Sequence, residues 1–336
     1  MPLQQLPSSA EVYAADQRTE IQAAVKALQR QWRRMGEDFA LSYAAIESSL
    51  LTIMDAAQER VTVGAFEYIP AVLVETGQTR YLPARYDISP TTLVGTAGNG
   101  LGTDLLAYES VIRTKVAVGQ GASTSEALRR GGQYLTGALG TLLSDTGRTA
   151  EQMAANSRPV RMFTRMLSPP SCGRCVVLAG KTTSASKAFL RHPRCDCRNI
   201  PTSESVAGEF RVDARAHLDS LSHDELVKSL GSQANAQAYL DGADMNQLIN
   251  AYRKSGGVTT AQVYGRSIKY TTEGTTRRGW AHARMSQADY VRAAGEAKRG
   301  RYTALRAPRL MPESIYQIAT SKADADRLLR LYGWIL

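Results

Sequence analysis

Apolar residues recur at helical spacing through the first sixty positions. Ile21, Val25, Leu28, Trp32, Met35, Phe39, Tyr43, Ile46, Leu50, Ile53 and Ala57 follow one another by three or four residues, a mean of 3.6. That period draws a single apolar stripe down one face of a long amphipathic helix, or of two collinear ones, over 8–64. Gly36 marks a bend, and Ser8-x-x-Glu11 has the form of a capping box at the start. Such a stripe packs on other helices of its own chain, or it docks another subunit. A second copy is included in the latter case, as a homo-oligomer formed through the N-terminal helix.

The period lapses over 65–101, where Pro70, Pro83, Pro90, Gly95, Gly98 and Gly100 read as an extended arm. It returns at 103–118 and at 123–144, the latter opened by a second capping box, Ser123-x-x-Glu126. Gly131, Gly132, Gly137 and Gly140 in that segment permit close helix contact or weaken the helix. A short helix is expected at 149–156, a short strand at 161–167 and a turn at Ser168-Pro-Pro-Ser171. Further on, Ser222-x-x-Glu225 caps a helix stopped by Gly231, and short helices follow at 232–240 and 245–253. The stretch 256–309 is polar and has no apolar period. Pro312 and Ala323 open the last two helices. The pattern predicts a mainly α protein with a small α+β zinc-binding module, a long N-terminal amphipathic helix and a basic C-terminal region. Its segments are 1–68 (helical), 69–157 (arm and helices), 158–203 (Cys/His module) and 204–336 (helical, basic).

Charge sharpens the last boundary. The 336 residues carry 41 Lys+Arg against 31 Asp+Glu, a net charge of +10. Residues 251–336 alone hold 16 basic and 6 acidic side chains, so the first 250 are neutral and the surplus is local. Arg253, Lys254, Lys269, Arg277, Arg278, Arg284, Lys298, Arg299 and Arg301 are the candidate nucleic-acid contacts, interleaved with Tyr252, Tyr264, Tyr270, Trp280, Tyr290 and Tyr302. Spaced cations suit neutralisation of phosphates without sequence reading. An acidic protein surface would suit them too, and so would solvent alone. The N-terminus lacks a basic start before an apolar core, and no apolar run reaches the ~20 residues of a bilayer span. The expectation is a protein made in a cytoplasm, with no membrane partner.

All four cysteines fall within 26 residues, as Cys172-x2-Cys175-x16-His192-x2-Cys195-x-Cys197. A Cys-x2-Cys knuckle turns both sulfurs toward one point, and a second Cys/His group some 15–20 residues on closes a tetrahedron around Zn²⁺. Cys172, Cys175, His192, Cys195 and Cys197 are five candidates for four places. A full shell of protein ligands makes the zinc structural, not catalytic. Two disulfides are the competing arrangement in an oxidising phase. Unbonded thiols and a catalytic Cys/His pair are the others, although a nucleophile needs only one thiolate beside a base.

Arg161-Met-Phe-Thr-Arg-Met-Leu-Ser-Pro-Pro-Ser-Cys-Gly-Arg-Cys-Val-Val-Leu-Ala-Gly180, followed by Arg191-His-Pro-Arg-Cys-Asp-Cys-Arg198, resembles the MuF-like minor capsid (head morphogenesis) proteins of tailed bacteriophages. The form is similar to that of actinobacterial phages. Asp241-Gly-Ala-Asp-Met-Asn-Gln-Leu-Ile-Asn-Ala251, Thr272-Glu-Gly-Thr-Thr-Arg-Arg-Gly279, Arg309-Leu-Met-Pro-Glu-Ser-Ile-Tyr316 and Leu328-Leu-Arg-Leu-Tyr-Gly333 carry the likeness through the C-terminal part, so it spans roughly 161–336. It implies a virion component of few copies, assembled in the host cytoplasm. Its partners would be the portal or the major capsid protein, and packaged double-stranded DNA. Some relatives are fused to a maturation protease or a toxin domain. This chain has neither a His-Glu-x-x-His motif nor a Gly-x-Ser-x-Gly elbow, so no enzyme is expected. The alternatives are a head-associated enzyme such as a maturation protease, and a zinc-ribbon DNA-binding protein unrelated to capsids.

Overall fold

The first sixty residues fold into a hairpin and not a rod. In a computed structural model, which describes residues 6–167, 171–187, 197–203, 213–252, 257–288, 295–299 and 301–335, α1 (Ser8–Trp32) ends ahead of Gly36. A short α2 (Phe39–Ala44), capped by Asp38, occupies the turn, and α3 (Glu47–Glu75) runs back along α1. The expectation of one rod or two collinear helices is therefore corrected. The stripe keeps its period, but its two halves face each other. Leu28, Met35, Tyr43, Ile46, Leu50 and Ala57 are buried together in one core. Ile21, Val25, Phe39 and Ile53 are partly buried against the same core.

The hairpin geometry also corrects the first cap. Ser8 is the first helical residue of α1 and not its cap, and Glu11 does not reach back to it. The carboxylate of Glu75, at the far end of α3, accepts from the N–H groups of Ser8 (2.6 Å) and Ser9 (2.9 Å) and from both hydroxyls (2.8 and 2.6 Å). An anion at a helix N-terminus satisfies N–H groups that have no partner within the helix.

α4 (Thr103–Gly119) and α5 (Thr124–Asn156) complete the bundle, and α5 runs unbroken through the two helices expected there. Ser123 accepts from the Glu126 N–H, but Glu126 itself turns outward to Arg129 and Arg130, so that capping box is half formed. Gly131 and Gly132 allow the close approach. A Cβ on Gly131 would stand 2.0 Å from Thr114 Oγ1, and one on Gly132 would stand 2.7 Å from the Trp32 ring. The arm over 76–102 is irregular as expected, although α3 continues through Pro70 before it begins.

A three-stranded antiparallel sheet closes the lower end of this helical unit. Its order is β2 (Thr182–Ser184), β1 (Met162–Met166), β3 (Arg198–Thr202), with Met162 opposite Thr202 and Met166 opposite Arg198. Phe163, Met166 and Ile200 pack on Tyr68, Ile69, Leu73, Ala150 and Ala154. A polar network lies under the sheet. Arg198 donates to Gln17 Oε1 (2.6 Å) and lies over the Tyr13 ring, which stacks on Tyr68 at 4.6 Å. Tyr68 donates to the carbonyl of Asn199 (2.9 Å). Glu151 is fully buried nearby, and burial holds its carboxyl above the usual range against the pull of Arg198 and Arg148.

The chain divides into two compact units. One comprises 4–169 and 179–212, as just described. The other comprises 1–3, 170–178 and 213–336. In the second unit, α6 (Gly173–Leu178) is followed by α7 (Ala214–Asp219), α8 (His223–Leu230), α9 (Gln233–Leu240) and α10 (Met245–Asn250). Ser222 and Glu225 form the expected capping box. The stretch 256–309 is not the loose segment that its polarity suggests. It holds the hairpin β4 (Val258–Val263)/β5 (Arg266–Thr271), α11 (Trp280–Gln287) and the hairpin β6 (Glu296–Arg299)/β7 (Tyr302–Leu305), and β8 (Arg309–Leu310) pairs with β5. α12 (Pro312–Ile318) and α13 (Lys322–Leu331) end the unit. Among the described residues no helix is long and apolar enough to cross a membrane.

Candidate metal knuckle and basic face

The Cys-x2-Cys pair sits at the start of α6. The N–H groups of Cys175 (2.9 Å) and Val176 (3.1 Å) both bond the Cys172 carbonyl, which turns the backbone tightly over the pair. Gly173 is required by packing, because a Cβ there would lie 2.6 Å from the Ser229 carbonyl and 3.0 Å from Ile249. Ser229 donates to the Ser171 carbonyl at 3.2 Å, and Arg174 donates to the carbonyl of Tyr252. The knuckle is thereby fixed to α8 and to the end of α10. The two sulfurs are 3.6 Å apart. A bonded pair would be about 2.05 Å apart. Two thiolates about 2.3 Å from one zinc ion, at the tetrahedral angle, are separated by about 3.8 Å. Cys175 is buried and Cys172 partly so, and the residues present therefore fit one edge of a zinc tetrahedron.

Cys197 is also buried and directly precedes β3 in the helical unit. His192 and Cys195 lie outside the described residues, and among the described residues no three His, Cys, Asp or Glu side chains converge.

The nine candidate cations separate into groups. Arg253 and Lys254 lie outside the described residues, as does the side chain of Arg299 on β6. Lys269 reaches Glu313 at 3.4 Å. Arg277 is exposed but grips Glu296 with two donors, at 2.7 and 3.1 Å. Arg284 is half-buried over the Trp280 ring. Arg278, Lys298 and Arg301 are exposed. A further arginine of the basic stretch, Arg309, is wholly buried. It donates to the carbonyls of Tyr332 and Gly333 (both 2.7 Å), to Gln247 (3.2 Å) and to the Glu273 carbonyl (3.4 Å), and it stacks on Trp334 at 3.6 Å. Burial pushes its pKa down to about 9, so it stays charged at neutral pH. It locks the C-terminal residues to the 272–279 loop and is not available to a phosphate.

The β4/β5 hairpin adds a feature that hydropathy did not reveal. Its tip is Tyr264-Gly265, with φ of 49° and 74°, as a two-residue hairpin turn requires. Tyr264 is fully exposed, and the hairpin carries Arg266 and Lys269 with no acidic residue. The readable signal was a glycine between two runs of β-favouring residues.

His282 lies between Glu296 Oε1 (2.8 Å from Nε2) and the Ser286 hydroxyl (3.3 Å from Nδ1). Hydrogen bonds from Arg277, and then from His282, hold the Glu296 carboxyl down to about 2. Ser286 is one turn along the same helix, where backbone N–H groups are committed to the helix and form no oxyanion cradle. The cluster ties α11 to β6. Compared with protein-family models, curated proteins and solved structures, the chain matches none.

Proposed function

We propose that the chain is a minor component of a phage head, of the MuF-like kind, and that it acts by assembly and not by catalysis. The observation that carries this reading is the composite motif of 161–198: strand, knuckle, Leu-Ala-Gly, then His-Pro-x-Cys-x-Cys. In this reading Cys172 and Cys175 supply two thiolates to a structural zinc ion, and His192, Cys195 and Cys197 are the candidates for the other two places. Zinc supplies folding free energy to the segments that its ligands hold together. The 3.6 Å sulfur separation supports this chemistry. Arg278, Lys298 and Arg301, with the hairpin tip at Tyr264 and Arg266, face packaged DNA, while the portal or major capsid protein holds the chain in the head. Ordered hairpins that carry exposed cations support that role, because they present charge to phosphate at little entropic cost.

The test is whether the chain is present in purified particles. For the module, the test is the zinc content of reduced protein, with zinc absent from the Cys172→Ser/Cys175→Ser variant. A reduced protein without zinc would contradict the metal assignment alone. A zinc-ribbon protein unrelated to heads would instead bind DNA tightly and stay out of particles.

A further inference from the structure

α4 carries an apolar stripe on the wrong side. Its inner face is formed by Ala107, Ser110, Val111, Thr114 and Ala117, all buried, with Ser110 and Thr114 against the Gly131 notch of α5. Its outer face should be polar. Leu105, Tyr108, Ile112 and Val116 lie along it instead, 40–55% exposed, spaced by three, four and four residues, and Leu101, ahead of the helix, is 53% exposed. Leu41 of α2 extends the patch at 71% exposure, and Tyr43 braces Tyr108 edge-on at 5.5 Å. These six side chains leave on the order of 500 Å² of apolar surface in water, as much as the largest patch of an ordinary monomer.

The pattern of this face identifies its occupant. Asp104, near the start of α4, and Lys115, near its end, lie on the same side of the stripe. Two copies of α4 laid face to face and antiparallel, with Tyr108 against Ile112 of the mate, bring several matches into register. Leu105 meets Val116, and each Asp104 meets Lys115 of the mate. A two-fold axis makes one patch serve both partners. We propose that this chain forms a homodimer through the outer face of α4, in this antiparallel register. About 1,000 Å² buried in total sits at the low end for specific interfaces, so the affinity expected is on the order of micromolar.

Sedimentation of the full-length chain across a concentration series tests the proposal. A monomer–dimer equilibrium is expected. Ile112→Asp, an exposed position, should weaken it at least tenfold with the helical circular dichroism unchanged. Lys115→Glu should weaken it about fivefold, the scale of surface ion pairs counted twice. Adding Asp104→Lys to that variant should restore most of the loss. A chain that stays monomeric overturns the proposal, and so does a monomer that uses α4 to hold a portal or capsid subunit. A dimer indifferent to Ile112→Asp overturns it as well. Loss without rescue by the charge exchange overturns the antiparallel register.

Discussion

Glu75 shows what a single residue can hide from a reading of the chain in order. Ser8-x-x-Glu11 has the right letters for a local cap, yet the carboxylate that serves the helix start comes from the far end of α3. Burial is the largest single influence on Glu75 and raises its pKa, but the four hydrogen bonds from Ser9 and Ser8 together outweigh it and hold the carboxyl down to about 2. Because the folded value lies below the unfolded one, its contribution is complete above the ordinary carboxylate range and is lost as pH falls toward about 2. Glu75→Gln should cost about 1 kcal/mol at neutral pH, the usual worth of a helix cap. The variant should also unfold less steeply with acid than the parent over that window. Equal stability of the two proteins at pH 7 in urea would remove the cap from the account. Arg309 makes the same point from the other side. Counted by charge it belongs to a phosphate-binding surface, but its position at the centre of five carbonyl, amide and ring contacts makes it core.

At the scale of elements, periodicity reported what it physically encodes. The α1–α3 stripe, α5 and the closing helices were legible because a buried helix face must repeat at 3.6 residues. Its inward direction was not legible, since a turn of a few residues decides whether two halves of a stripe run on or fold back. The hairpins of 258–305 escaped for a different reason. They are short, partly exposed on both faces and built of Thr, Ser, Lys and Tyr, so they bury too little to leave an alternating pattern. The buried Glu151–Arg198 network gave no signal because its members lie on α5 and β3, far apart in sequence. Of the Cys/His module, the Cys172–Cys175 turn was legible, because two cysteines three apart at a tight turn bring their sulfurs together whatever surrounds them. The α6 element therefore carries the metal prediction. Cys172→Ser/Cys175→Ser should abolish zinc binding and expose the α6 region to proteolysis, while the α1–α5 bundle keeps its helical signal. Zinc retained by that variant would place the ion elsewhere.

At the scale of the molecule, the surplus of +10 resides in residues 251–336, and their described part is folded into hairpins and helices. Truncating 256–309 would remove β5, β8 and Arg309 together, and would report on stability before it reported on DNA. Neutralising Arg278, Lys298 and Arg301 to Gln is the cleaner change. If these residues contact phosphates, DNA affinity should fall for every sequence alike, and the slope of log K against log salt should flatten by roughly 3. An unchanged slope would assign those cations to solvent or to an acidic protein. Mass spectrometry of density-purified particles, with copy number calibrated against the major capsid protein, decides whether the protein resides in the head. A head component is expected in every preparation at a few copies per head, and purified heads that lack the chain would rule that residence out.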